Sequence, residues 1–305
     1  MLRLRARTLV SIAIFLAFVG LVEVFHGWGG ILAPWRDLSP LALLVATLLT
    51  LLTYVLRAWR VYDFYRSVMG GRFPACLRLT LIHNLLNNLL PMRAGELSFP
   101  VLMARYFQVP AVHSVPVLLW FRLMDLHVLA AFGLAAVGTW LVGWPAALAA
   151  TVLWLSGLPL VRRASPLLRH WLAPRVRGRW GEWVLRALEA LPSSPRDFWR
   201  AWAWTALNWS VKLAVFVWVL ALFLEAPAAA LWLAVIAGDL TSVLPVHGVG
   251  GAGTYEAGVM AALLPFGVSV EQALVGAVNL HLFLLGSTLA GGLLLPWLPA
   301  ANKEK

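Results

Sequence analysis

Long apolar runs separated by short basic connections dominate the chain. Residues 38–56 pass 19 positions without a charged side chain, enough for a helix to cross the hydrocarbon core. Residues 8–25 carry only Glu23, and residues 145–161 carry no charge at all. Residues 115–141, 201–224, 226–244 and 268–296 are also long and apolar, each with one or two polar intruders. The pattern predicts a polytopic membrane protein. Composition agrees: of 305 residues 61% are hydrophobic and only 12% charged, about half the charged share of a soluble domain.

Arg3, Arg5 and Arg7 precede the first run, as they would in a signal peptide. The bulky VEVFHGW after it offers no small-x-small cleavage site, so an uncleaved first span is expected. The lone Cys76 excludes an intramolecular disulfide and a cysteine zinc site. Seven histidines are scattered with no H-x-x-x-H pair, so neither a metal site nor a cofactor is expected.

The net charge of +11 is distributed by topology. Nine arginines lie between 162 and 200, five between 57 and 78, and three at the N-terminus. The positive-inside rule places these three segments in the cytoplasm. The connections that then face outward, 26–37, 138–144 and the region around Glu225, hold one arginine among them. Orientation and contact with anionic headgroups account for the basic balance, and nucleic acid is not an expected partner.

The chain is expected to be a single polytopic domain, 1–305. Its one substantial stretch outside the spans is 162–200. There GEWVLRALEAL places Trp183, Leu185 and Leu188 among Glu182, Arg186 and Glu189, a pattern suited to a short amphipathic helix on the inner leaflet. Roughly 40 residues cannot bury a catalytic core of their own, so any activity belongs within the membrane.

On either side of that segment lie two similar halves, 38–141 and 201–297. In the first, Pro91, Arg93, Gly95 and Glu96 interrupt an apolar stretch, and a long span with Arg122 follows. In the second, Pro245, Gly250, Gly251, Gly253 and Glu256 do the same, and a span with Asn279 and His281 follows. Glu96 precedes Arg122 by 26 residues, and Glu256 precedes His281 by 25. Each half reads as a helix, a broken hairpin (74–108 and 226–266) and another helix. The charge rule gives the halves opposite orientations and leaves both termini cytoplasmic. The expected class is all-α integral membrane, with about six transmembrane helices plus two re-entrant hairpins in an inverted repeat. Such interruptions point to binding sites in transporters.

Gly248, Gly250 and Gly253 also spell G-x-G-x-x-G. A dinucleotide turn needs a strand before it and an acidic residue about 20 positions on. Here a 19-residue apolar run precedes it, and Glu256 follows Gly253 by three. The stretch is therefore expected to be a hinge, with Pro245 removing an amide donor and the glycines allowing left-handed backbone. Each half-helix beyond its break would aim its N-terminal amides inward, which attracts anions.

The ionisable groups expected within the membrane are Arg93, Glu96, Arg122, Asp125, Lys212, Asp239 and Glu256. Two readings stand side by side. The groups can pair among themselves, Arg122 with Asp125 at i, i+3 and each glutamate capping its own half-helix. Alternatively they mark a substrate pathway, as ionisable residues at this depth do. Asn208 and Lys212 share a helix face, while His83 and His127 are expected to be satisfied interior histidines.

At NNLLPMRAGE (87–96), FRLMD (121–125) and LPVHGVGGAGTYE followed by GVSVEQAL (244–256 and 267–274), the chain resembles the lysylphosphatidylglycerol synthase transmembrane region, a flippase-like module also found alone. The resemblance runs from about the second span to the end. It implies movement of a lipid or lipid-linked group between leaflets, with membrane lipids as partners and an envelope synthase or glycosyltransferase as a possible one. The bifunctional synthases carry an aminoacyl-transfer domain after the module. This sequence stops at Lys305 without one, so lysyl transfer is not expected. In the last span, where the family often has an arginine, stand Asn279 and His281.

The resulting expectation is a non-enzymatic translocase of an anionic lipid in the inner membrane. Arg93 and Arg122 would contact phosphate, while Glu96 and Glu256 organise the loops or take a cationic substrate part. The rival readings are an accessory subunit of an envelope synthase or glycosyltransferase, and a small-solute or ion-coupled transporter titrating Asp239, Glu256 and Lys212.

Overall fold

The computed structural model describes residues 2–90, 95–175, 178, 181, 185, 194–241 and 248–300, with side chains from Leu9 onward. Among these residues the regular elements are all helical. Five helices are long and apolar enough to span: α2 (Pro40–Phe64), α5 (Ala111–Leu141), α6 (Trp144–Leu172), α7 (Pro195–Ala221) and α10 (Val270–Leu293). A sixth span is available from α1 (Leu2–Phe25), whose part Leu9–Phe25 bends by 90° into Trp28–Asp37. Between the spans lie four shorter helices, α3 (Phe73–Leu89), α4 (Ser98–Phe107), α8 (Ala228–Thr241) and α9 (Thr254–Leu263). These have 17, 10, 14 and 10 residues, short of the ~20 needed to cross as helices.

The element boundaries follow local chemistry. Ser39 accepts from the Ala42 amide and Pro40 starts α2 with its φ already fixed. Ser269 caps α10 in the same way through the Gln272 amide. Gln108, in the left-handed region at φ 57°, ends α4 and turns the chain into α5. The first part of the segment 162–200 is helical, since α6 continues unbroken to Leu172 through Arg162, Arg163 and Arg169. Most of the expected amphipathic stretch, Trp183 and Leu188 included, lies outside the described residues.

Packing obeys the two-half division. The leading helices α2 and α7 lie together at the centre, tied at one end by Arg200 and Asp63. In each half the leading helix packs on the first short helix, the two short helices pack on each other, and the second packs on the closing span. The closing spans cross over: α5 lies against α8 of the second half, and α10 against α3 of the first. The same pattern of contacts therefore recurs in both halves. Small residues permit the close approaches. A β-carbon on Gly95 would run into the Leu86–Asn87 backbone, and one on Gly258 would meet Thr241 and the Ala237 carbonyl.

The periphery is apolar, as hydrocarbon requires. Of the 29 residues of α6 only Ala147 and Leu158 are buried, while Leu153, Leu160 and Leu167 face outward. The polar groups are instead gathered inside, between α2, α3, α5, α7, α8 and α10.

Candidate functional site

Those helices enclose a cavity of about 410 Å³, within the roughly 300–1,000 Å³ usual for ligand sites. Both halves contribute to its wall, with Arg57 and Arg122 from the first and Lys212, Asp239 and His281 from the second. Gly250 and Gly251 of the second break also line it.

The first half supplies a network around Asp125. Arg60 of α2 approaches it at 2.6 Å through Nη1 and 3.4 Å through Nη2, and Trp209 Nε1 of α7 donates to it at 3.0 Å. Arg60 also donates to Thr205 and lies over the Phe121 ring. Arg122 donates to Glu96 at 2.6 Å and reaches Asp125 at 3.5 Å. Two arginines and two carboxylates thus neutralise one another where isolated charges would be costly.

In the second half, Lys212 donates to both oxygens of Asp239, at 2.7 and 2.9 Å. Its ammonium also sits over the Trp209 and Phe216 rings. Glu256 accepts from the Gly253 amide at 2.8 Å, satisfying the N–H of the residue that precedes α9. Its other oxygen lies 2.7 Å from His281 Nδ1, and His281 Nε2 lies 2.9 Å from the Gly250 carbonyl. Gly250, Gly251 and Gly253 all have positive φ, at 66°, 90° and 85°, the backbone region that glycine enters without steric cost.

These contacts repeat between the halves in register. Arg57 lies 17 residues into α2 and Lys212 17 into α7; Asn84 lies 11 into α3 and Asp239 11 into α8. Arg57 donates to the Asn84 amide oxygen at 2.7 Å as Lys212 donates to Asp239, each across 27 residues. Arg122 and His281 each lie 11 residues into their helices and meet Glu96 and Glu256. Two differences between the halves bear on the chemistry of the cavity. Where the second has the acid Asp239 the first has Asn84, and where the first has the permanent cation Arg122 the second has a histidine.

The first difference decides the site's electrostatics. Arg60, Arg122 and Lys212 each hold a carboxylate, but Arg57 holds only an amide, and among the described residues no carboxylate lies within 4.0 Å of it. Tyr54 and Asn88 line the same cavity as Arg57 and are bridged by Thr288, whose Oγ1 lies 3.2 Å from the Tyr54 hydroxyl and 2.8 Å from Asn88 Nδ2.

Of the residues expected to form the site, Glu96, Arg122 and Asp125 come together, as do Lys212 with Asp239, and Glu256 with His281. Arg93, Pro91 and Pro245 lie outside the described residues. Pairing of Arg122 with Asp125 is present but incomplete, since Asp125 sits closer to Arg60. Glu96 does not cap α4, whose Leu97 cap makes no side-chain bond; it reaches Arg122 instead. Gly95 serves by close approach rather than left-handed backbone. Asn279 turns away from the cavity, binding the Ile31 carbonyl and the Trp35 indole. Sequence reasoning missed Arg57 and Arg60, which follow the uncharged run 38–56 and were counted with the cytoplasmic arginines. The equal 27-residue spacing of Arg57–Asn84 and Lys212–Asp239 was the signal that could have found the first.

No curated protein and no solved structure matches this chain. The family described as the Lysylphosphatidylglycerol synthase TM region does match, over residues 8–292, in keeping with a helical membrane chain. The chain belongs to that family of integral membrane proteins.

Proposed function

We propose that the protein moves an anionic lipid or lipid-linked group between the leaflets of the cell membrane. Arg57 is the observation that carries this reading. An ionic group within a membrane span is expensive, and the other basic side chains of the cavity have their cost offset by carboxylates. Arg57 keeps its charge available to the cavity, and a planar guanidinium suits a phosphate through paired hydrogen bonds. The phosphate contact earlier assigned to Arg122 therefore passes to Arg57, with Tyr54 and Asn88 as neutral hydrogen-bonding neighbours on the cavity wall.

In this reading α3–α4 and α8–α9 are re-entrant hairpins that return to the side they start from. Three crossings, α2, α5 and α6, then separate the starts of the two halves, so the halves are inverted. The arginine-rich connections and both termini face the cytoplasm, and the membrane is the inner one. Rocking of the halves about the α2–α7 pair would expose the cavity to each leaflet in turn.

Lipid retention tests the role of Arg57. Native mass spectrometry of the detergent-purified protein is expected to show phosphatidylglycerol held in preference to phosphatidylcholine. Arg57→Gln, which keeps a donor for Asn84, is expected to lose that preference. Equal retention of both lipids by the wild type, or an unchanged preference in the variant, removes Arg57 from the site.

A further inference from the structure

The second difference between the halves bears on protons. His281 presents each of its ring nitrogens to an acceptor, Nδ1 to a Glu256 oxygen at 2.7 Å and Nε2 to the Gly250 carbonyl at 2.9 Å. The other Glu256 oxygen is engaged by the Gly253 amide. A neutral imidazole has one N–H, so with an ionised Glu256 one nitrogen lone pair would point at an oxygen lone pair. Two arrangements satisfy every atom: an imidazolium donating both ways to a carboxylate, or a carboxylic acid donating to Nδ1 while Nε2–H donates to Gly250. Both hold two protons. The group therefore carries one proton more than a neutral histidine beside a carboxylate, whichever atom bears it.

We propose that Glu256, His281 and the Gly250 carbonyl form a proton-binding site that latches the glycine turn onto α10. The site is buried, with His281 4% and Glu256 3% exposed, yet His281 touches the cavity. The groups around it come from every neighbouring element. Tyr255 of α9 lies with its ring 4.4 Å from the imidazole. Lys212 of α7 and Asp239 of α8 share the cavity but hold each other. Tyr54 and Arg57 of α2 line the same space, as do Arg122 and Asp125 of α5, which are held by Glu96 and Arg60, and α3 presents the neutral Asn87 and Asn88. None of these supplies the donor that a singly protonated pair would lack. In the first half the position matching His281 holds Arg122, whose charge is permanent, so that position offers no exchangeable proton.

Loss of the proton leaves either Glu256 or the Gly250 carbonyl facing a lone pair, so either α9 or the turn at Val249–Gly251 loses a tie to α10. The latched form binds the extra proton, so by linkage lower pH favours it and higher pH favours release. Resting on the translocation reading, the same proton cancels the charge of Glu256, and the positive charge of Arg57 is then uncompensated when the anion enters. Anion and proton are expected to occupy the cavity together.

The protonation state is measured directly on the full chain, labelled with 15N-histidine, in vesicles of phosphatidylcholine and phosphatidylglycerol. The His281 signals are identified by their loss in His281→Asn, or, if that variant does not fold, by their change in Glu256→Gln. At neutral pH both ring nitrogens, or one together with a protonated Glu256 seen as a carbonyl band in the infrared, are expected to carry protons. Glu256→Gln, which preserves the cap on Gly253, is expected to leave one protonated nitrogen. A singly protonated ring beside an ionised Glu256 in the wild type overturns the proposal. For coupling, exchange of fluorescent phosphatidylglycerol between leaflets is followed under an imposed pH gradient. A rate that responds in the wild type and stops responding in Glu256→Gln supports the coupling, and a rate indifferent to the gradient overturns it. Absence of any exchange overturns the translocation reading and the coupling with it, while the nitrogen signals decide the proton site on their own.

Discussion

Replacing Asn84 with aspartate converts the first half into a copy of the second at its most consequential position. The Asn84 amide oxygen lies 2.7 Å from Arg57 Nη1, the separation that Lys212 and Asp239 show at the matching place. Asn84→Asp therefore puts a carboxylate where this fold already accommodates one. With charge centres about 4 Å apart and an effective dielectric of 20, the attraction is about 4 kcal/mol. Desolvation of the new carboxylate consumes part of it, leaving a stability gain of about 1 kcal/mol or more. An entering anion loses its attraction to a free guanidinium, and a loss of about 3 kcal/mol weakens binding on the order of a hundredfold. The two effects have opposite signs. The melting temperature in detergent is expected to hold or rise while preference for phosphatidylglycerol over phosphatidylcholine disappears. A variant that keeps the wild-type preference would refute the assignment of Arg57, since its charge would then be neutralised without consequence.

Other perturbations test other parts of the account. Gly251→Ala places a β-carbon at φ 90° with His281 3.6 Å away, so strain rather than a clash is expected to cost about 1 kcal/mol or more and to lower the melting temperature measurably. Lys212→Met leaves Asp239 without its ammonium and is expected to destabilise by about 3–5 kcal/mol, read as a lower melting temperature or reduced yield of folded protein. Arg122→Gln with Glu96→Gln, which exchanges the ion pair for neutral hydrogen bonds, is expected to retain the phosphatidylglycerol preference; its loss would restore Arg122 as a phosphate contact. A cysteine at Val142 is expected to react with an impermeant maleimide added outside sealed cells and one at Arg175 to be protected; the reverse pattern contradicts the orientation.

Much of the architecture was legible because membrane solvation is strict. Runs free of charge located the spans, although α2 and α6 continue to Phe64 and Leu172, past the ends of the runs 38–56 and 145–161, and α3–α4 and α8–α9 fall where Pro91, Gly95 and the 248–253 glycines broke the apolar pattern. Glu256 and His281 could be linked in advance by comparing their spacing with that of Glu96 and Arg122. The ends of α2 were less legible. An apolar run stops at its first charge, but this helix continues inward through Arg57 and Arg60 because Asn84 and Asp125 wait on neighbouring helices. Partner choice was the hardest to read. Asp125 could pair with Arg122 by local spacing, yet its nearest cation arrives from a helix 65 residues away. Asn279 and His281, adjacent in the pattern, point to different neighbours because two residues along a helix turn the side chain by more than half a revolution.

Leaflet exchange is the most direct test of the central claim. Purified protein is reconstituted in phosphatidylcholine vesicles carrying fluorescent phosphatidylglycerol or fluorescent phosphatidylcholine, and dithionite then bleaches the label exposed outside. The account predicts that wild-type protein brings inner-leaflet phosphatidylglycerol into reach of the quencher faster than phosphatidylcholine, and that Arg57→Gln abolishes the difference. Retention of phosphatidylglycerol with an exchange rate no faster than in protein-free vesicles would contradict the account and favour an accessory role beside a lipid synthase or glycosyltransferase.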